Sequence, residues 1–368
     1  MESTTYLIVG GGMTGDAAVK GIREQDAEGR IVLVGAEQHP PYKRPPLSKK
    51  LWAGGEESSI WKNTEGADLV LGRRIVSLDL DRRRATDDQG GEYAYEKVLL
   101  ATGGSPRRLG GDDADVIYFR TVDDFRALKE GVGAGTRVAV IGGGFIGSEL
   151  AAALVGAGAK VSMTFPEPTI GFRLFPQALG DFVNDYYRQK GVEVNPGGMV
   201  SDPRELGADL VVAGLGILPN VELAEAAGLA VDNGILVDEY GRADGRDDVF
   251  AAGDVANYPS PVLGTRFRVE HEDHANTHGK FVGANMAGAD QPYDHIPFFY
   301  SDLFDLGYEA VGQVDSRLEM VEDWQEPYTK GTVTYVEDGR PRGFLLWNVW
   351  DKVDAARDVL KAGEGALV

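Results

Sequence analysis

Val138-Ala139-Val140-Ile141-Gly142-Gly143-Gly144-Phe145-Ile146-Gly147 is a short apolar run that breaks directly into Gly-x-Gly-x-x-Gly. An apolar run bounded by glycine predicts a buried strand, and the small residues that follow predict a helix packed close upon it. The three glycines meet separate physical needs. Gly142 makes the tight turn, Gly144 lets the backbone approach a pyrophosphate, and Gly147 lets the helix lie against the strand. The helix start then offers amide donors and a favourable dipole to an anion. Glu167 closes the next strand, Val161–Phe165, where a carboxylate can accept from a ribose 2′-OH.

The same arrangement opens the chain. Tyr6-Leu7-Ile8-Val9 runs into Gly10, Gly12 and Gly15, a helical stretch follows, and Glu37 closes the strand Ile31–Gly35. In a chain with 50 glycines, one such loop reads equally well as a plain turn. Two copies, each with its strand, helix and correctly spaced acid, indicate a duplicated dinucleotide-binding half. The expected fold class is α/β, with two Rossmann-like dinucleotide-binding domains plus a C-terminal α+β domain with an antiparallel sheet. The latter rests on strands at Tyr308–Val314, Leu318–Glu322, Gly331–Val336 and Gly343–Val349, an Asp338-Gly339 hairpin turn and a helix near Asp351–Lys361. The expected division is 1–113 and 239–297 for the first dinucleotide domain, 114–238 for the second, and 298–368 for the last.

Composition narrows the function classes. A chain of 368 residues is long enough for two or three domains. Its formal net charge of −21 repels phosphate backbones and anionic lipid, which argues against a nucleic-acid partner. There is no cysteine, which excludes disulfides, thiolate metal sites, iron–sulfur ligation and a redox-active dithiol. No apolar stretch reaches the length of a membrane span, and the apolar run at the N-terminus stops too soon for a signal peptide. The expected location is cytoplasmic.

Two dinucleotide sites in one chain imply electron transfer between two dinucleotides, in the usual pairing of a bound flavin with an exchanging nicotinamide. Glu167 would accept from a free 2′-OH and repel a 2′-phosphate, and no arginine immediately follows it. The expected cofactors are FAD and NADH, with NADH preferred over NADPH.

Gly10–Gly15, Ala101-Thr102-Gly103-Gly104, Gly142–Gly147 with Glu149, and Ala252-Gly253-Asp254 resemble the two-dinucleotide-domain flavoprotein reductases. Pro41-Tyr42-Lys43-Arg44-Pro45-Pro46-Leu47-Ser48-Lys49 is similar to the loop of the oxygenase-coupled ferredoxin and rubredoxin reductases. Phe165-Pro166-Glu167, Val269–Ala275, Gly307–Gly312 and Leu346-Trp347-Asn348 look most like the apoptosis-inducing factor branch. Where the ferredoxin reductases carry Trp-Ser-Asp-Gln-Tyr, this chain has Tyr300-Ser301-Asp302-Leu303-Phe304, a departure that counts against a ferredoxin partner. A targeting leader and long C-terminal insertion like those of the animal factors are not expected, nor are their death-related and mitochondrial roles.

The resemblance implies FAD in the first site and NADH in the second. Around the flavin and the nicotinamide it implies Gly10, Gly12, Gly15, Glu37, Arg44, Lys49, Val76, Thr102, Gly103, Asp254, Glu270 and His271. For NADH it implies Gly142, Gly144, Gly147, Glu149, Glu167 and Gly216. Four residues are expected to carry the chemistry: Lys49, Glu149, His271 and Trp347. Hydride transfer needs no nucleophile, only alignment and charge stabilisation. A lysine near flavin N5 stabilises the reduced cofactor, and a glutamate fixes that lysine. Without the resemblance, Lys49 would read as a solvated lysine and Glu149 as a first-turn glutamate favoured by the helix dipole. His271, His274 and His278 fall at i, i+3, i+7, which could offer imidazoles to a metal, yet hydride transfer requires none and no metal is expected. Trp347 reads from composition as a core aromatic and from the resemblance as a residue beside the isoalloxazine.

The electron acceptor is not named by the sequence. With no cysteine, disulfide and sulfenic-acid routes are excluded. A quinone or similar small oxidant, oxygen, or a ferredoxin- or rubredoxin-like carrier is left open. A different expectation is a redox-responsive NADH sensor, whose charge-transfer complex reoxidises slowly and promotes an NADH-dependent homodimer.

Overall fold

The computed structural model describes residues 2–110, 113 and 115–365; Ala114, where the sequence-based second segment begins, lies outside them. The chain divides into two units. Met1–Lys43, Ile60–Ser105 and Pro219–Pro297 make the first, and Arg44–Ser59, Pro106–Leu218 and Phe298–Val368 the second. Residues 219–238 thus fold with the first unit, and the C-terminal sheet belongs to the second.

In the first unit the duplicated motif builds a parallel sheet in the order Asp68–Leu71, Ile31–Gly35, Glu2–Val9, Glu92–Leu100, with Val249–Ala251 also parallel to Glu92–Leu100. Ile31–Gly35 is buried at every position, which is why it reads as an unbroken apolar run rather than an alternating one. Arg84–Asp87 and Ile75–Asp79 extend the sheet as an antiparallel hairpin. On one face, helix Met13–Gln25 packs against helix Glu272–Met286 at very short range. A Cβ on Gly21 would lie 1.9 Å from Lys280 O, on Gly279 2.5 Å from Thr14 O, and on Gly283 2.2 Å from Ala18 O. Only glycine lets two backbones meet this closely.

In the second unit, Glu193–Pro196, Lys160–Phe165, Arg137–Ile141, Leu210–Ala213 and Val116–Tyr118 form a five-stranded parallel sheet in that order. Helix Val122–Gly131 starts at a full capping box between Thr121 and Asp124, and helix Gln177–Gln189 follows Pro176. The C-terminal segment is a five-stranded antiparallel sheet: Phe298–Leu303, Leu306–Gly312, Arg340–Trp347, Lys330–Glu337 and Glu319–Glu326. Asp338 and Gly339 turn its hairpin with φ of 52° and 73°, the left-handed pair that suits the twist of the flanking strands. Helix Val353–Ala362 follows the sheet.

Candidate functional site

Both glycine loops show the geometry of a phosphate cradle. Gly10 has φ of 130°, and a Cβ on Gly15 would sit 2.2 Å from Gly10 O. Gly12 caps helix Met13–Gln25 with no side-chain hydrogen bond, and the space before it is open, with nothing within 4 Å of a Cβ placed there. The second loop repeats this. A Cβ on Gly147 would lie 2.0 Å from Gly142 O, while Gly144 caps helix Phe145–Gly156 over equally open space. Uncapped amides, a helix dipole and room for a bulky anion fit a dinucleotide pyrophosphate at each loop.

The acids stand beyond the following strands. Glu37 Oε2 accepts from Tyr42 Oη at 2.6 Å, which holds the carboxylate in place. Glu167 is partly exposed, and the tertiary structure brings Arg173 within 3.8 Å of it, from a loop that sequence spacing did not connect to the site. Gly216, with φ of 79°, accepts at its carbonyl from Arg107 N at 2.9 Å.

The remaining first-unit candidates lie at the ends of strands. Thr102 and Asn220 exchange hydrogen bonds of 2.8 Å each way, and Asn220 N donates to Gly103 O at 3.0 Å. The sequence carried no signal for Asn220. Gly253 adopts φ of 73° with its α-carbon close against Thr14, and Asp254 follows it, nearly buried. Arg268 donates to Asp254 O at 3.2 Å and pairs with Glu270 at 2.6 Å. Val76 is exposed on Ile75–Asp79. In the second unit, Arg44 donates to Arg120 O at 2.9 Å.

His271 caps helix Glu272–Met286, and its imidazole is pushed down to about 4, by burial first, with Asp254 and Asp273 opposing. His274 and His278 lie in the core with Tyr258 and Tyr293. His278 Nδ1 accepts from Gly253 N at 3.3 Å, and burial drives its imidazole down to about 3, so its single proton sits on Nε2. Among the described residues no group of three or more histidine, aspartate or glutamate side chains is placed to hold a metal.

Lys49 and Glu149 come together within the second unit, from a proline-rich loop and the first turns of helix Phe145–Gly156. Lys49 Nζ lies 3.2 Å from Glu149 Oε1, 3.4 Å from Asp302 and 3.8 Å above the Tyr300 ring. Glu149 is buried, and both of its oxygens accept serine hydroxyls: Oε2 from Ser48 at 2.6 Å and Oε1 from Ser301 at 2.7 Å. Burial raises the Glu149 carboxyl above the usual range, against Lys49 and the two serines. Ser301 and Asp302 reach the pair from a chain segment some 250 positions beyond Lys49, which no local spacing encodes.

Trp347 corrects an expectation. Its side chain has no exposed surface: the indole stacks on Tyr308 with centroids 5.8 Å apart, meets Phe175 edge-on, and donates from Nε1 to Tyr328 O at 2.8 Å. A ring enclosed on all sides offers a cofactor nothing to touch, so the core reading replaces the flavin-facing one.

Residues 4–279 match the family model described as pyridine nucleotide-disulphide oxidoreductase. The chain belongs to this family. Residues 282–326 match the model of the apoptosis-inducing factor, mitochondrion-associated, C-terminal domain. The chain is 33% identical to apoptosis-inducing factor 1, mitochondrial, of Dictyostelium discoideum, covering 98% of this chain and 79% of that one. It is 35% identical to the ferredoxin–NAD(+) reductase component of the anthranilate 1,2-dioxygenase system of Burkholderia cepacia, covering 99% and 95%. The ferredoxin reductase for the CYP199A2 system from Rhodopseudomonas palustris superposes with a TM-score of 0.89 at 29% identity, covering 99% and 96%. The chain is therefore an FAD-dependent pyridine nucleotide oxidoreductase of the apoptosis-inducing factor and ferredoxin reductase type. The disulphide in the family's description has no counterpart here, since the chain has no cysteine. Among the described residues no helix is long and apolar enough to cross a membrane.

Proposed function

We propose that FAD sits on the first unit's glycine loop and NADH on the second's, and that a hydride passes from NADH to the flavin. The observation that carries this reading is the pair of glycine-capped helix starts at Gly12 and Gly144, each open in front and each followed by a strand-end acid, Glu37 or Glu167. When bound, FAD supplies the two-electron acceptor and a dihydronicotinamide the hydride. Thr102, Gly103, Asp254, Arg44 and Val76 hold the flavin nucleotide. Glu270 and His271 receive the nicotinamide carboxamide, with the His271 imidazole neutral at physiological pH. Lys49 brings positive charge to the reduced cofactor, and Glu149 fixes that lysine. Glu167 selects NADH over NADPH. The test is anaerobic mixing of the purified holoprotein with NADH in a stopped-flow spectrometer. Rapid bleaching of the oxidised flavin band is expected, and a flavin that stays oxidised overturns the reading.

Electrons then leave for a quinone, a similar small oxidant or oxygen. The likeness to two ferredoxin reductases favours a second reading, a protein carrier as acceptor. The C-terminal match to apoptosis-inducing factor favours a third, a sensor that keeps its charge-transfer complex and dimerises with NADH. Timed reoxidation against quinone, oxygen and carrier proteins separates them, with mass measured before and after NADH. An unchanged mass removes the dimer. A cytoplasmic location belongs to the same proposal, and fractionation of cells checks it.

A further inference from the structure

Two serine hydroxyls drawn from distant stretches meet on one buried carboxylate, and they account for the direction in which Lys49 points. We infer that Ser48 and Ser301 are positioning residues whose hydroxyls hold both oxygens of Glu149, keeping this buried side chain charged and aimed at Lys49.

The proton count supports it. A serine has one proton to give. Ser48 Oγ lies 2.6 Å from Glu149 Oε2 but 3.4 Å from Pro45 O, so its proton goes to the carboxylate. Ser301 Oγ lies 2.7 Å from Glu149 Oε1, and its proton goes to the carboxylate as well. Burial and the neighbouring Glu149 charge hold the Tyr308 phenol protonated, so no second anion competes for these protons there. Both serine hydroxyls thus deliver a proton toward the carboxylate. Such a donor set suits an anion better than a neutral acid, which would have to turn a serine away from it.

The arrangement has a consequence for Lys49. Its ammonium is shared between Glu149 and Asp302, whose side chain is 55% exposed against 6% for Glu149. A carboxylate so deeply buried would neutralise without donors. Lys49 would then be left with Asp302, the Tyr300 carbonyl at 3.4 Å and the Tyr300 ring. The two serines therefore decide which carboxylate the lysine serves. The groups facing Glu149 are Lys49 and Ser48 from the proline-rich loop, Ser301 and Asp302 from Phe298–Leu303, Tyr308 from Leu306–Gly312, and Tyr187 from Gln177–Gln189.

The role of the serines in turnover rests on the proposed hydride transfer, but their effect on Glu149 does not. Ser48→Ala and Ser301→Ala each remove one oxygen atom and add no bulk. In holoprotein labelled with ¹³C at the glutamate carboxyl, the Glu149 signal is identified by its absence in Glu149→Gln and titrated with pH. Each alanine variant should move its midpoint up by about one pH unit or more, the size of one lost charge-assisted hydrogen bond. In the stopped flow, the acid limb of flavin reduction should move up by the same amount, with rates at high pH within about twofold of the parent. An unmoved midpoint in both variants overturns the inference. So does a rate lowered evenly at every pH, which would mark the serines as packing alone. Because they touch different oxygens, either variant carries the test if the other fails to fold. The NMR readout needs no turnover, so a holoprotein that NADH does not reduce sinks the proposed function and leaves the serine test standing.

Discussion

Gly15 and Gly10 touch so closely that a Cβ on the former would lie 2.2 Å from the carbonyl oxygen of the latter. The contact is to backbone, which cannot yield without opening the turn. Gly15→Ala is therefore expected to strip FAD from the purified protein, read from its flavin absorbance. Gly147→Ala meets the equivalent wall, Gly142 O at 2.0 Å, on the other loop. It should keep its FAD and lose reduction by NADH. The reverse pattern would exchange the two cofactors between the loops.

Lys49→Ala and Glu149→Gln should slow flavin reduction by about tenfold to a hundredfold, the loss that follows removal of a positioned charge, with FAD content unchanged. Stopped-flow reduction rates beside flavin-to-protein ratios check this. Equal rates in parent and variants would remove both residues from the mechanism.

Glu167 should govern nucleotide choice. Glu167→Gln is expected to shift the ratio of kcat/KM for NADH over NADPH toward NADPH by about tenfold, as removal of one like-charge repulsion allows. Arg173, 3.8 Å from Glu167 and 87% exposed, is then available to a 2′-phosphate. Adding Arg173→Ala should undo the gain. If Glu167→Gln leaves the ratio unchanged, the acid does not discriminate.

Acid should destabilise the first unit in a defined window. His278 falls from 6.5 to about 3 and His271 from 6.5 to about 4. The unfolded chain binds more protons there, so stability rises with pH and is lost as pH drops below about 6.5. Each histidine contributes a slope of about 1.4 kcal/mol per pH unit through that window. Denaturant unfolding between pH 7 and pH 5 should show it, and His278→Gln should flatten the slope by one histidine's share. An unchanged slope would mean that His278 is already charged in the fold.

Trp347→Ala should cost about 3–5 kcal/mol, the loss for emptying a packed aromatic site. Trp347→Phe should cost less and leave reoxidation by quinone or oxygen as it was. A phenylalanine variant that folds normally but reoxidises at a different rate would restore the flavin-facing role.

Local chemistry accounts for what was legible. The strand–glycine–helix units could be read because each is complete within about thirty residues. The Asp338-Gly339 turn is equally local and is found where spacing put it. Phe298–Leu303 was not foreseen as a strand. Its residues alternate weakly, and it is held by its partner Leu306–Gly312. Gly21, Gly279 and Gly283 carried no motif at all, since their reason is a helix that packs against them from far along the chain.

The sequence by itself determined two strand–glycine–helix units with an acid after the next strand, the absence of thiol chemistry and the pairing of Lys49 with Glu149, the last through family likeness. Tertiary structure alone decided what surrounds that pair. Ser48 and Ser301 become partners of one carboxylate only when residues 48, 149 and 301 are folded together, and no local spacing encodes that meeting. It likewise enclosed Trp347 and brought Arg173 to Glu167. The physical reason is the same in each case. Backbone motifs answer to near neighbours, whereas burial and side-chain hydrogen bonds answer to whatever the fold brings within reach.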